Sequence, residues 1–173
     1  MPAQKFLQRD VATGLNTEVA LVDSSSGAPD AGKGVALDAT GRLPLNMLPT
    51  GVGPELVNVV ASENLAAGDF VNLHDVAGVS KARKADATDA TKPANGFVKA
   101  GVTSGASGDV YFDGLNDVLT GKTAGKRYFL SATTPGAATD TPPSGSGNLS
   151  QILGVAVSAT AIAFRPDDGT VLA

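Results

Sequence analysis

The sequence contains no cysteine and no tryptophan, and its single histidine is His74. Without cysteine the chain cannot form disulfides or bind a metal through thiolates, so its stability must have another source. A chain with a single histidine lacks the residues for most metal sites and for most histidine-based acid–base catalysis. As a general base His74 would also need an orienting carboxylate, and the adjacent Asp75 points to the opposite face of a strand. We therefore expect no catalytic site, no metal and no cofactor.

Clustered basic residues are also scarce. The chain has 13 lysines and arginines against 17 aspartates and glutamates, and its formal net charge is −4. The longest basic cluster, residues 81–84, is followed closely by two aspartates. A nucleic-acid surface needs clustered cations, so we expect no nucleic-acid partner. Apolar runs are too short and too broken to span a bilayer, and MPAQKFLQRD lacks the apolar centre of a secretory signal. We expect no membrane partner.

The sequence is poor in aromatic residues and rich in small and β-branched ones. Aromatic residues make up only 5% of the sequence, whereas there are 21 glycines and 10 prolines. Such a composition favours strands joined by tight turns, which predicts an all-β protein. A core of small side chains buries little apolar area per residue. Oligomerisation is the expected supplement, and we predict a homotrimer because closed symmetry limits growth.

Residues 1–54 are typical of an extended arm with short β-hairpins. Short apolar segments alternate with turn clusters such as SSSGAPDAG, and the arm ends in the stiff connector LPTGVGPE. Each segment is too short to bury a face by itself, so the arm needs a surface to lie on. Alternatively, its last apolar residues cover one end of the protein's own β domain. The candidate contacts with a partner surface or with other copies of the chain are Phe6, Leu7, Val19, Leu21, Val35, Leu37, Leu43, Leu45, Met47 and Leu48.

Residues 55–173 have the pattern of a compact β-sandwich or β-barrel domain. Short apolar runs are closely spaced and are separated by glycine, proline, asparagine or aspartate turns. Alternation is clear in KRYFLS and AIAFRP, which predicts one buried face for each of these strands. The predicted strands are 56–61, 69–74, 79–84, 96–102, 109–114, 126–131, 150–158 and 161–166.

The stretch GAPDAGKG, residues 27–34, has most of the spacing of a phosphate-binding P-loop. Gly34 stands where such a loop needs a serine or threonine to hold magnesium. Gly41 and Pro44 follow soon afterwards and prevent a long helix from starting there. A P-loop needs that helix, because its N-terminus faces the phosphate. We therefore interpret GAPDAGKG as a plain turn and expect no binding of ATP or GTP.

Two further groups of residues are candidate sites by residue type. Asp109, Asp113 and Asp117 could form a weak cation site. The regular spacing of acidic residues that defines a calcium-binding loop is absent, however, so we interpret these three as solvent-exposed carboxylates in turns. A carbohydrate-binding module or hydrolase would need an aromatic platform or paired carboxylates in a cleft. Tyr111 and Tyr128 are the only tyrosines, and both lie in strand-like runs where core packing is expected.

Two long stretches resemble tailed-bacteriophage virion proteins. GAPDAGKGVALDATGRLPLNMLPTGVG, residues 27–53, is similar to a segment common in phage structural proteins. GKRYFLSATTPGAATDTPPSGSGNLSQILGVAVSATAIAFRP, residues 125–166, resembles a β module of head-decoration proteins and fibres. The resemblance implies a non-enzymatic virion protein, built as an arm plus a β domain and often trimeric.

Within that class the sequence favours a capsid decoration or minor capsid protein. Such a protein would grip the major capsid protein with residues 1–54 and would project residues 55–173 outward at the capsid surface. The alternative is a tail-fibre or baseplate component, which would be longer and would present exposed aromatics at a receptor-binding tip. A carbohydrate-binding module is the outside alternative. The resemblance leaves open whether a host-surface ligand is bound.

Overall fold

The structure is a computed structural model that describes residues 5–23, 27–37, 41–43, 47–48 and 55–173. The chain divides into two compact units, Met1–Gly53 and Pro54–Ala173. Strands dominate the described part of both units, and one turn of 3-10 helix lies at Ala28–Asp30. The all-β class predicted from the composition is confirmed.

The N-terminal unit contains an antiparallel hairpin of β1 (Lys5–Arg9) and β2 (Asn16–Ala20). Its turn begins at Asp10, whose carboxylate accepts hydrogen bonds from the backbone N–H groups of Ala12 (2.7 Å) and Thr13 (3.2 Å). The same bonds favour the ionised carboxylate and so lower the pKa of Asp10. The turn is thus fixed by a local side-chain contact that aspartate makes well.

Beyond the hairpin the chain turns back on itself. Val22 and Val35 form an isolated parallel bridge. The Val22 N–H donates to the Gly34 carbonyl at 3.0 Å, and the Ala36 N–H donates to the Val22 carbonyl at 2.8 Å. Among the described residues, the segment at 33–37 therefore makes this one bridge and does not form a longer strand.

The second unit begins with a closed five-stranded barrel. Its strands are β3 (Leu56–Ala61), β4 (Phe70–Val76), β5 (Val79–Lys84), β6 (Gly96–Val98) and β7 (Ser107–Tyr111). Their order around the barrel is β3-β5-β4-β6-β7. The pairing between β3 and β5 is parallel, and the other pairings are antiparallel. So few strands enclose a narrow interior, which explains why small and β-branched side chains fill it. The buried cluster is Ala61, Leu65, Val71, Ala82, Val98, Val102 and Val110.

An antiparallel sheet follows. Its strands are β8 (Gly114–Asn116), β9 (Arg127–Leu130), β10 (Ala138–Thr139), β12 (Ile152–Ser158) and β13 (Ala161–Phe164). Their order across the sheet is β10-β9-β12-β13-β8. A two-stranded ribbon of β11 (Leu149–Ser150) and β14 (Thr170–Val171) completes the unit. The alternation predicted for KRYFLS appears in β9, where Tyr128 and Leu130 are buried and Arg127 is exposed.

Three phenylalanine rings join the barrel to this sheet. Phe70 and Phe97 come from barrel strands, and the ring of Phe164 on β13 lies 5.5 Å from each of them, centroid to centroid. All three are fully buried, and the largest aliphatic residues around them are Leu130, Leu153 and Ile162. Three of the chain's few aromatic residues thus lie between the barrel and the sheet, where each buries a large apolar area.

All eight predicted strands of residues 55–173 are present; two keep their predicted bounds, and the others differ by a few residues at one or both ends. The prediction for 96–102 was too long, because β6 ends at Val98 and Val102 pairs with Leu65 as an isolated bridge. Four strands of two or three residues, β8, β10, β11 and β14, were not predicted. Such short segments carry no readable alternation and are defined by their pairing partners.

Candidate docking site

The apolar side chains of the N-terminal unit are unusually exposed. Val11 is 99% exposed, Leu7 68% and Leu15 67%. Most side chains of β1 and β2 are also exposed, so the described part of the N-terminal unit covers little of either face of the hairpin. Among the described residues, the other exposed large apolar side chains of this unit are Phe6, Val35, Leu37 and Leu43. Together these seven side chains form the exposed apolar set of the N-terminal unit.

Two of the predicted contact residues, Phe6 and Leu21, come together around Gly34. Phe6 lies opposite Val19 in the hairpin register. A Cβ atom at position 34 would lie 2.5 Å from Leu21 Cδ2 and 3.1 Å from Phe6 Cε1. Leu21 and Phe6 therefore pack directly over the Gly34 backbone, and any larger residue there would push them apart. This small contact fixes the returning segment against the hairpin.

Leu7 lies on the opposite face of the hairpin from Phe6, as strand alternation requires. It faces Glu18 in the register, and the Lys5 ammonium lies 2.9 Å from the Glu18 carboxylate. Leu7 is therefore an apolar side chain beside an exposed ion pair. An apolar centre with a charged rim is the usual composition of a protein-binding surface.

The remaining predicted contacts are not brought into one group by the structure. Leu37 and Leu43 are exposed, Met47 and Leu48 are half-buried, and Leu45 lies outside the described residues.

Sequence reasoning missed Val11 and Leu15, which flank the turn of the hairpin and are among its most exposed apolar residues. The signal was present in VATGL, where two apolar side chains surround a three-residue turn that cannot bury them.

The stretch GAPDAGKG has none of the surroundings of a phosphate site in the described residues. Ala28–Asp30 forms the 3-10 turn inside it, and the Lys33 ammonium lies 2.7 Å from the Asp30 carboxylate. No helix follows in residues 34–37, where Val35 makes its bridge. A lysine held by an aspartate and followed by extended backbone does not form a phosphate cradle.

His74 has one partner that invites comparison with a catalytic pair. Its Nε2 lies 2.9 Å from Ser62 Oγ, which is also 3.1 Å from the Ala82 carbonyl. Burial lowers the pKa of His74, and the nearby charges of Arg83 and Lys81 lower it further. No described residue accepts a hydrogen bond from Nδ1, so the orienting carboxylate of a serine–histidine triad has no counterpart in this part of the chain.

A shallow cleft of about 250 Å³ lies on the barrel and is lined by Asn58, Lys99, Asp109 and Tyr111 among others. Its amide and charged groups are already paired: Asn58 donates to Asp109 at 2.7 Å, and the Lys99 ammonium lies 3.0 Å from Asp117. The latter contact lowers the pKa of Asp117. The Tyr111 ring is stacked on Phe97, and Lys99 lies over it. The cleft is smaller than most ligand pockets and has no free set of convergent polar groups.

Tyr128, the other tyrosine, is buried, and its hydroxyl accepts a hydrogen bond from the Thr123 N–H at 2.9 Å. Neither tyrosine thus offers a free ring as a platform for a sugar. In the described ranges no group of three or more histidine, aspartate or glutamate side chains is placed to hold a metal ion. Nor does this part of the chain contain a helix long and apolar enough to cross a membrane.

Comparisons with protein-family models and with curated proteins give no match for this chain. The exposed apolar set of the N-terminal unit therefore stands as the candidate site on physical grounds alone.

Proposed function

We propose that this protein is a non-enzymatic structural component of a tailed-bacteriophage virion. In this proposal it decorates the capsid shell, residues 1–54 bind the major capsid protein, and residues 55–173 face outward. Three copies form a homotrimer, so that three weak contacts act together. The observation that carries the proposal is the exposure of Leu7, Val11 and Leu15 on a hairpin that the described part of the N-terminal unit leaves largely uncovered.

The physical support is the contrast between the two units. A two-stranded hairpin is marginally stable in water and gains stability when a partner covers it. The second unit instead has a fully buried core around Phe70, Phe97 and Phe164. A unit that has its own core needs no partner to fold, whereas the hairpin has apolar area to bury. Attachment through the hairpin uses that area.

The outer edges of β1 and β2 also favour attachment. Each of these strands pairs only with the other in the described part of the chain, so each has a row of unpaired backbone groups on its outer side. An exposed edge can add a strand of a partner protein, and alternate side chains then enter pockets on that partner. The edges and the apolar side chains together suit a protein shell better than a small ligand.

The proposal is tested by the double variant Leu7→Asp and Leu15→Asp in the full chain. Both side chains are exposed, so the fold should be retained. Burying a leucine contributes about 1.5–3 kcal/mol, so losing two should weaken binding to particles lacking the protein by at least about 100-fold. Co-sedimentation of the protein with such particles measures this change.

The matched control is Val76→Asp with Val79→Asp, at the end of the β4–β5 hairpin in the second unit. These valines are 37% and 54% exposed, and their replacement should leave particle binding unchanged. If the Leu7 and Leu15 variant binds as tightly as the control, the N-terminal unit is not the anchor. Binding of the wild-type protein to isolated tails but not to heads would instead support the tail-fibre or baseplate alternative.

A further inference from the structure

The sheet of the second unit has an apolar outer face. Residues directly opposite one another in an antiparallel pair share a face. The register aligns Leu115 on β8 with Ala163 on β13, Ala163 with Val155 on β12, and Val155 with Arg127 on β9. These four residues form one row across four strands, on the side away from the phenylalanine core.

Exposure separates the two faces of this sheet. On the core side Ile162 and Phe164 are fully buried, whereas in the row Leu115 is 41% exposed and Val155 is 43% exposed. Val157 lies at the bulge between Ala156 and Ser158 and is 55% exposed. A solvated sheet face normally carries polar side chains, so an aliphatic row at its centre indicates a covering partner.

The charges at the two ends of the row indicate which partner fits. Arg127 lies at the β9 end, and Asp113 lies immediately before β8 at the other end. Both are exposed, and neither forms an ion pair with any residue in the described ranges. When the β8 end of one copy meets the β9 end of the next, the opposite charges approach each other. The face is therefore complementary to itself.

We propose that this sheet face, formed by Leu115, Val155, Val157, Ala163 and Arg127, is the contact between copies of the chain. The inference rests on the proposed homotrimer and names the surface that forms it, but it does not depend on attachment to a particle. The apolar row excludes water at the centre of the contact, and Arg127 and Asp113 set the orientation of the copies.

The first test is Val155→Asp in the full chain, with mass measured by sedimentation velocity. A carboxylate in the centre of the contact would be buried without a partner, so the dissociation constant should rise at least about 100-fold. The control Val79→Asp changes a valine on β5 that is 54% exposed, against 43% for Val155, and should leave the mass unchanged. Circular dichroism shows whether both variants remain folded.

The second test reverses the charges. Arg127→Asp alone and Asp113→Arg alone should each weaken association about tenfold, because like charges then face each other. The double variant should recover most of the wild-type affinity, which a merely local effect of either substitution would not do. A monomeric wild-type protein at micromolar concentration, or unchanged association in Val155→Asp, would overturn the proposal. It would also be overturned if Val155→Asp kept its mass but lost particle binding, which would assign this face to the shell.

Discussion

Phe164→Ala is expected to lower the free energy of unfolding of the second unit by about 3–5 kcal/mol. The Phe164 ring is fully buried and contacts the rings of Phe70 and Phe97, each at 5.5 Å between centroids. The large side chains around it are held by strands, so they cannot move far to fill the space of a lost ring; they are Phe70, Phe97, Leu130, Leu153 and Ile162. The cost therefore includes the cavity as well as the lost burial.

Urea denaturation followed by tyrosine fluorescence measures this effect. Both tyrosines lie in the second unit and the chain has no tryptophan, so the signal reports on that unit alone. The matched control is Phe6→Ala, the same change in the N-terminal hairpin, where the ring is 37% exposed. The control should leave the tyrosine transition unchanged. A loss below about 1 kcal/mol for Phe164→Ala would contradict the assigned core, since buried aromatic truncations cost several times more.

Gln151→Leu is expected to cost about 2–5 kcal/mol, because it leaves two buried backbone groups without partners. Gln151 lies between β11 and β12 and is buried. Its Oε1 accepts from the Ala94 N–H at 2.7 Å, and its Nε2 donates to the Ala94 carbonyl at 3.1 Å and to the Asp167 carbonyl at 2.9 Å. Ala94 is itself buried, so water cannot replace the lost amide.

The same denaturation measurement checks this prediction, with Gln8→Leu as the matched control. Gln8 is an exposed residue of β1, and its replacement should leave the tyrosine transition in place. A variant at Gln151 that is as stable as the wild type would show that the loop carrying Ala94 is not fixed by this side chain. Such a result would contradict the structural role assigned to the hydrogen bonds of Gln151.

The division of strands in the second unit could be predicted from local patterns because most strands are apolar runs bounded by strong turn residues. β3 (Leu56–Ala61) and β5 (Val79–Lys84) match their predicted bounds. Their parallel pairing, which closes the barrel, could not be predicted, because strands that pair in parallel are joined across a long stretch of chain and leave no turn signature between them.

Gln151 illustrates the same limit at the level of one side chain. A glutamine before an apolar strand is usually solvent-exposed, and nothing in the local sequence marks this one as buried. Its role depends on Ala94, which is far away along the chain and is brought close by the fold. Contacts of this kind are properties of the tertiary structure and not of a sequence window.

The candidate docking site was predictable in part for a related reason. Phe6 and Leu7 stand in an apolar segment too short to bury itself, and that argument needs no tertiary information. Val11 and Leu15 were not among the candidates, because they lie at the turn and outside the short apolar segments. The row from Leu115 to Arg127 could not be seen at all, since β8 was not predicted and the register between strands defines the row.

The central claim is that the N-terminal unit attaches the protein to a capsid shell and that the second unit faces outward. An electron cryo-microscopy reconstruction of the virion at a resolution that separates strands tests it most directly. The claim predicts density for the β1–β2 hairpin against the major capsid protein, with Leu7, Val11 and Leu15 covered, and density for residues 55–173 on the outer side. Density for the protein in the tail, or a reversed arrangement with residues 55–173 against the shell and the hairpin exposed, would contradict it.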